Sequence, residues 1–197
     1  MHPRPLLIIS CLLAAFLVLA RQGQGSPTCN NRCCRFVEGF PLRLRKLRED
    51  YSQIRDYYEA NDDLDAALLG DSVENSFSTP YACHAMDDIL SFYLRTVLPS
   101  ALAGVTEGTK SLRPYMESIQ LIFDELKREV TQCRNYFSCK KPFDINSLNS
   151  SYTQMERKGL FKAMGELDVL FNYIERYLAS NRRRPGASSS SSSSSSS

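Results

Sequence analysis

The chain has 197 residues, 43% hydrophobic and 23% charged, with a formal net charge of +2. That near-neutral balance gives no global electrostatic footprint for nucleic acid. Seven cysteines stand against two histidines, which speaks against a zinc centre and points to a disulfide framework.

The chain opens MHPRPLLIISCLLAAFLVLA, with an apolar run over 6–20 followed by the small residues of LARQGQGS. The pattern reads as a secretory signal peptide at 1–20, with cleavage after Ala20 or as late as Gly25. The run is short for a membrane span, which takes about 20 apolar residues. A secreted, extracellular protein without membrane insertion is therefore expected, in a compartment that permits disulfides. One helical domain is expected over 26–181. The basic and poly-Ser residues 182–197 read as a flexible tail.

From Leu44 the apolar residues Leu44, Leu47, Tyr51, Ile54 and Tyr58 follow the spacing of one helix face, with Pro41 at the start. A short helical piece is expected in LDAALLGD, and the segment 71–80 reads as loop. The next stripe is Cys83, Met86, Leu90, Tyr93 and Val97, expected to stop at Pro99. The longest helix is expected at about 110–136, on Leu112, Tyr115, Ile119, Ile122, Leu126, Val130 and Cys133. Pro142 marks a break. Ile145, Leu148, Tyr152 and Met155 mark a shorter helix, with Gly159 as its left-handed cap. The last helix, 160–178, is apolar around so much of its surface that it belongs at the centre of a bundle. No segment alternates with period two. The fold class is all-α, a bundle of about six helices.

Catalytic chemistry finds little support. Apart from His2 in the leader, His84 is the single histidine, and no metalloprotease, serine-hydrolase or phosphate-loop pattern occurs. A calcium loop from Asn61 fails, because its sixth and twelfth positions are Ala66 and Ser72. No metal and no cofactor are expected. The basic clusters RLRKLR (43–48) and RRR (182–184) read as solvated faces, with weak binding of polyanionic glycans as the alternative. Once Cys11 leaves with the leader, six cysteines allow 15 pairings, and the sequence alone does not choose among them. Asn149-Ser150-Ser151 is a glycosylation sequon.

Several stretches carry a likeness that generic bundle patterning does not produce: LRKLREDYSQIRDYYEANDDLDAALL (44–69), CHAMDDILSFYLRTVLP (83–99), CRNYFSC (133–139) and KGLFKAMGELDVLFNYIERY (158–177). Through them the chain resembles the interleukin-10 family of class II helical cytokines, from Cys33 to about Arg184. The extra cysteines and tail look unlike the mammalian form and point to a lower-vertebrate or captured viral copy.

The resemblance implies a six-helix cytokine bundle in an intertwined, domain-swapped homodimer, with the segment around Pro142 carrying the crossover. It implies disulfides Cys33–Cys133 and Cys83–Cys139. Cys29 and Cys34 have no matching family positions and are expected to pair with each other. It implies no enzyme activity. The partners would be high-affinity and accessory class II cytokine receptor chains, brought together to activate JAK–STAT signalling and mainly dampen immune responses. The receptor-binding positions carried over are Arg45, Arg48, Arg55, Glu59, Asp65, Lys162, Glu166, Asp168 and Glu175. Glu59 stands where the family has an amide, and Gly165 where it has a hydroxyl residue. The rival readings are a monomeric cytokine of the same superfamily and a secreted helical lipid carrier with an apolar cavity.

Overall fold

The computed structural model describes residues 29–139 and 143–182. The expected leader, Pro142 and the poly-Ser tail lie outside these residues. The chain divides into two units, Met1–Arg32 and Cys33–Ser197. Among the described residues all regular structure is helical. In chain order the helices are α1 (Arg32–Ala60), α2 (Asp71–Phe77), α3 (Ala82–Phe92), α4 (Leu98–Ala103), α5 (Arg113–Gln132), α6 (Asn146–Gln154), α7 (Lys158–Gly165) and α8 (Leu167–Arg182). A π-helical turn, Tyr93–Val97, joins α3 to α4, and a 3-10 turn, Lys110–Leu112, leads into α5. Glu166 alone separates α7 from α8. Counting α3 to α4 and α7 to α8 as single rods gives six helices among the described residues, the number expected, although the second lies at 71–77 and not in LDAALLGD.

Several boundaries differ from the sequence-based expectation, each for a physical reason. Among the described residues α1 is the longest helix, with 29 residues, and Pro41 lies inside it. An interior proline costs a helix roughly 3 kcal/mol. Here Phe36, Val37 and Phe40 extend the buried stripe ahead of Pro41, and Pro41 itself is exposed. Tertiary burial of that first segment outweighs the local penalty.

Pro99 does not stop its helix either. The Leu98 N–H bonds the Tyr93 carbonyl five residues back, and this wider turn sets Pro99 at the start of α4, where a missing N–H costs little. Residues 64–69 form no helix, while 71–77 do. Nor is Gly159 a left-handed cap. No described glycine has positive φ; Glu156, at φ 50°, makes that turn. A Cβ on Gly159 would meet the Tyr152 carbonyl oxygen at 2.8 Å, so the glycine is there for the close approach of α7 to α6.

Buried residues of every helix join one core. Through it runs a chain of edge-to-face rings: Tyr51 to Phe171 (5.9 Å), Phe171 to Phe123 (6.1 Å), Phe123 to Tyr93 (5.9 Å), Tyr93 to Phe92 (5.5 Å) and Phe92 to Tyr152 (5.1 Å). Such contacts are worth about 0.5–1.5 kcal/mol each beyond buried area. Phe171 of α8 sits inside this chain, the central place its apolar helix calls for.

Two disulfides tie distant parts of the chain to the core. Cys33 bonds Cys133 across a separation of 100 residues, and Cys83 bonds Cys139 across 56. Cys29 and Cys34 are each disulfide-bonded as well.

Candidate receptor-binding surface

The nine carried-over positions fall into two groups of opposite character. The first is a clamp on the loop 61–70, between α1 and α2. Buried Leu68 and Leu69 plug this loop into the core. Polar groups from α7, α8 and the residue between them then fix its backbone. Lys162 is 7% exposed; its ammonium pairs with Asp62 at 2.7 Å and donates to the Leu64 carbonyl at 2.5 Å. The Glu166 carboxylate accepts the Leu68 N–H at 3.1 Å and the Leu69 N–H at 2.6 Å. The Tyr173 hydroxyl donates to the Leu69 carbonyl at 2.8 Å. Lys158 reaches Asp63 at 2.6 Å. The Tyr51 hydroxyl donates to the Gly165 carbonyl at 2.5 Å and so ties α1 to the break between α7 and α8.

The electrostatics follow from these contacts. Burial pushes the Glu166 carboxyl above its ordinary range, opposed by the two N–H donors and the Lys162 charge. The Lys158 hydrogen bond holds the Asp63 carboxyl below its ordinary value. Burial raises the Tyr51 phenol, with the Glu59 charge adding to it.

The second group faces outward along α1 and α8 and, at Asp65, on the loop. The Arg48 guanidinium donates to Asn172 Oδ1 at 2.7 Å and to Glu175 at 2.9 Å, and lies 3.8 Å from Asp168. Arg55, farther along α1, pairs with Asp56 at 3.2 Å and with Glu59 at 3.8 Å. Arg45 and Asp65 are exposed.

The structure thus brings Arg48, Asp168 and Glu175 together and strings Arg45, Arg55, Glu59 and Asp65 beside them in sequence. Lys162 is buried and Glu166 half-buried, and both side chains bind the backbone of the loop. Sequence reasoning passed over Asn172, although Asp168, Asn172 and Glu175 share one face by helical spacing. It also passed over Tyr51, which reaches Gly165, and Lys158 and Tyr173, which reach the loop; these contacts cross long sequence distances and leave no local signal.

The sequence profile of the family described as Interleukin 10 matches residues 7–180. The chain belongs to the interleukin-10 family. It is 32% identical to interleukin-10 of Gallus gallus over 177 residues, 89% of this chain and 99% of that one. It is 27% identical to interleukin-10 of Cervus elaphus over 171 residues, 86% of this chain and 93% of the other. Interleukin-10 family proteins are signalling cytokines, not enzymes. The loop clamp and the Arg48 cluster both lie inside the span matched to the interleukin-10 family. No described helix is long and apolar enough to cross a membrane. A cleft of ≈ 600 Å³ is lined by Phe77, Pro80, Phe137 and Tyr177 together with Ser78, Thr79, Ser138 and Arg176.

Proposed function

We propose that the chain is a secreted cytokine that engages class II cytokine receptor chains through the outer faces of α1 and α8 and the loop 61–70. Bringing those chains together activates JAK–STAT signalling and mainly dampens immune and inflammatory responses. The observation that carries this reading is the exposed Arg48–Asp168–Asn172–Glu175 cluster, set beside a loop held rigid from within. Mixed charges on such a face steer association and select the partner. A pre-shaped loop spares the ordering cost of binding.

Within this reading the leader at 1–20 is removed, Cys29 pairs with Cys34, and two copies interlock by exchanging α6–α8 through the segment around Pro142. A monomeric cytokine is the second reading, favoured by one observation: in the single chain α7 and α8 already close on α1, and α8 also on α2. Light scattering of the purified protein separates the two, since the interlocked form has the mass of two chains.

The test of receptor engagement is STAT phosphorylation in leukocytes of the source lineage. The double variant Arg48→Ala, Asp168→Ala should lose at least about tenfold in potency, equivalent to about 1.4 kcal/mol, with an unchanged helical spectrum. Wild-type potency in the double variant refutes this face as the receptor contact.

A further inference from the structure

We propose that Asn149 carries an N-linked oligosaccharide, making the outer face of α6 a carbohydrate-covered surface. This rests on the reading of the chain as a secreted protein. Asn149-Ser150-Ser151 is the acceptor pattern, without proline in the middle position. Asn149 and Ser150 are both exposed on α6. Among the described residues no hydrogen bond engages the Asn149 side-chain amide.

The helix around it is unusual in composition. Its exposed residues are Asn146, Ser147, Asn149, Ser150, Thr153 and Gln154, none of them charged, in a chain that is 23% charged. These are poor helix formers. What holds α6 is Leu148 in the core and the Tyr152 ring on Phe92 at 5.1 Å. A face of neutral amides and hydroxyls can lie under a glycan without burying a charge. Asn149 also borders a cleft of ≈ 410 Å³ lined by Asp88, Ser91, Arg95 and Lys127, which offers acceptors and donors to the first sugars. None of the nine candidate receptor positions lines that cleft, so glycan and receptor use separate residues.

The transfer is a substitution on a lipid-pyrophosphate-linked oligosaccharide. The Asn149 amide nitrogen bonds the anomeric carbon of the reducing-end sugar and loses a proton. The bond from that carbon to the pyrophosphate oxygen breaks, and the lipid pyrophosphate leaves. Nothing is oxidised or reduced.

The test expresses the full chain in cultured vertebrate cells and follows the protein in the medium. Peptide-N-glycosidase should raise its gel mobility and convert residue 149 to aspartate in the peptide map. Asn149→Gln and Ser151→Ala should be secreted without any mobility shift, and Ser151→Thr should keep the shift. Secreted wild-type chain that does not respond to the enzyme, or Asn149→Gln that still does, overturns the proposal. Chain retained in the cells with its leader uncleaved overturns the secretory reading instead, so the two failures are distinguishable.

Discussion

Lys162 and Arg48 carry the same charge into opposite surroundings. The Lys162 ammonium is buried against Asp62 and a loop carbonyl, so Lys162→Ala leaves a half-buried carboxylate without its partner. A loss of about 3 kcal/mol in urea unfolding is expected. Arg48→Ala breaks pairs whose members are all more than a third exposed, and should cost under about 1 kcal/mol of stability. A similar stability loss in both would show that the Lys162 clamp is no stronger than a surface pair.

Arg43 and Glu125 supply a pH signature. The Arg43 hydrogen bond holds the Glu125 carboxyl below its ordinary 4.5. A folded value below the unfolded one means stability that is present above pH 4.5 and lost as pH falls through the folded value. Glu125→Gln should therefore flatten the acid limb of the stability–pH curve below 4.5. An unchanged limb would assign acid sensitivity to other carboxylates.

At the scale of elements, α6, α7 and the loop 61–70 show what local rules do and do not decide. Gly159→Ala places a methyl group against the Tyr152 carbonyl, a backbone atom that cannot swing aside. Overpacking of this kind typically costs about 1–3 kcal/mol, and thermal unfolding should register it. Glu166→Ala strips the acceptor from the Leu68 and Leu69 amides. Hydrogen exchange at those two amides should speed up by tenfold or more, while the core of α5 keeps its protection.

The stripes of α1, α3, α5 and α8 were legible because burial imposes a 3.6-residue period whatever the neighbours. The misreadings at Pro41, Pro99 and Gly159 share one cause. Each rule describes an isolated helix, and each was overridden by packing or by a π turn that only the folded chain provides. Residues 64–69 have helical composition, yet Glu166, nearly a hundred positions away, takes the amides of Leu68 and Leu69. The outward cluster was partly legible, since helical spacing places Asp168, Asn172 and Glu175 together. The inward turn of Lys162 was not, because periodicity does not say which charged side chain finds a buried partner.

For the molecule as a whole, the disulfides set how far the unfolded chain can open. Cys33–Cys133 closes a loop of 100 residues, worth about 4–5 kcal/mol on the chain-entropy estimate. The double substitution Cys33→Ser, Cys133→Ser should lower the unfolding free energy from urea titration by a matching amount. A change of less than about 1 kcal/mol would mean that the unfolded chain is already compact around this bridge.

The ring chain that ties six segments of the core together also makes the fold visible to light. The sequence holds ten tyrosines and no tryptophan, so its ultraviolet emission comes from phenols. Burial lifts Tyr58 to about 12 and pushes Tyr51 and Tyr93 up as well. Phenols raised in this way favour the native state below their ordinary value of 10 and cease to do so as alkali reaches their folded values. In an alkaline titration the exposed tyrosines should form phenolate first and gradually. The buried ones should follow in a single steep step as the core gives way, a built-in colorimetric gauge of whether the bundle is intact.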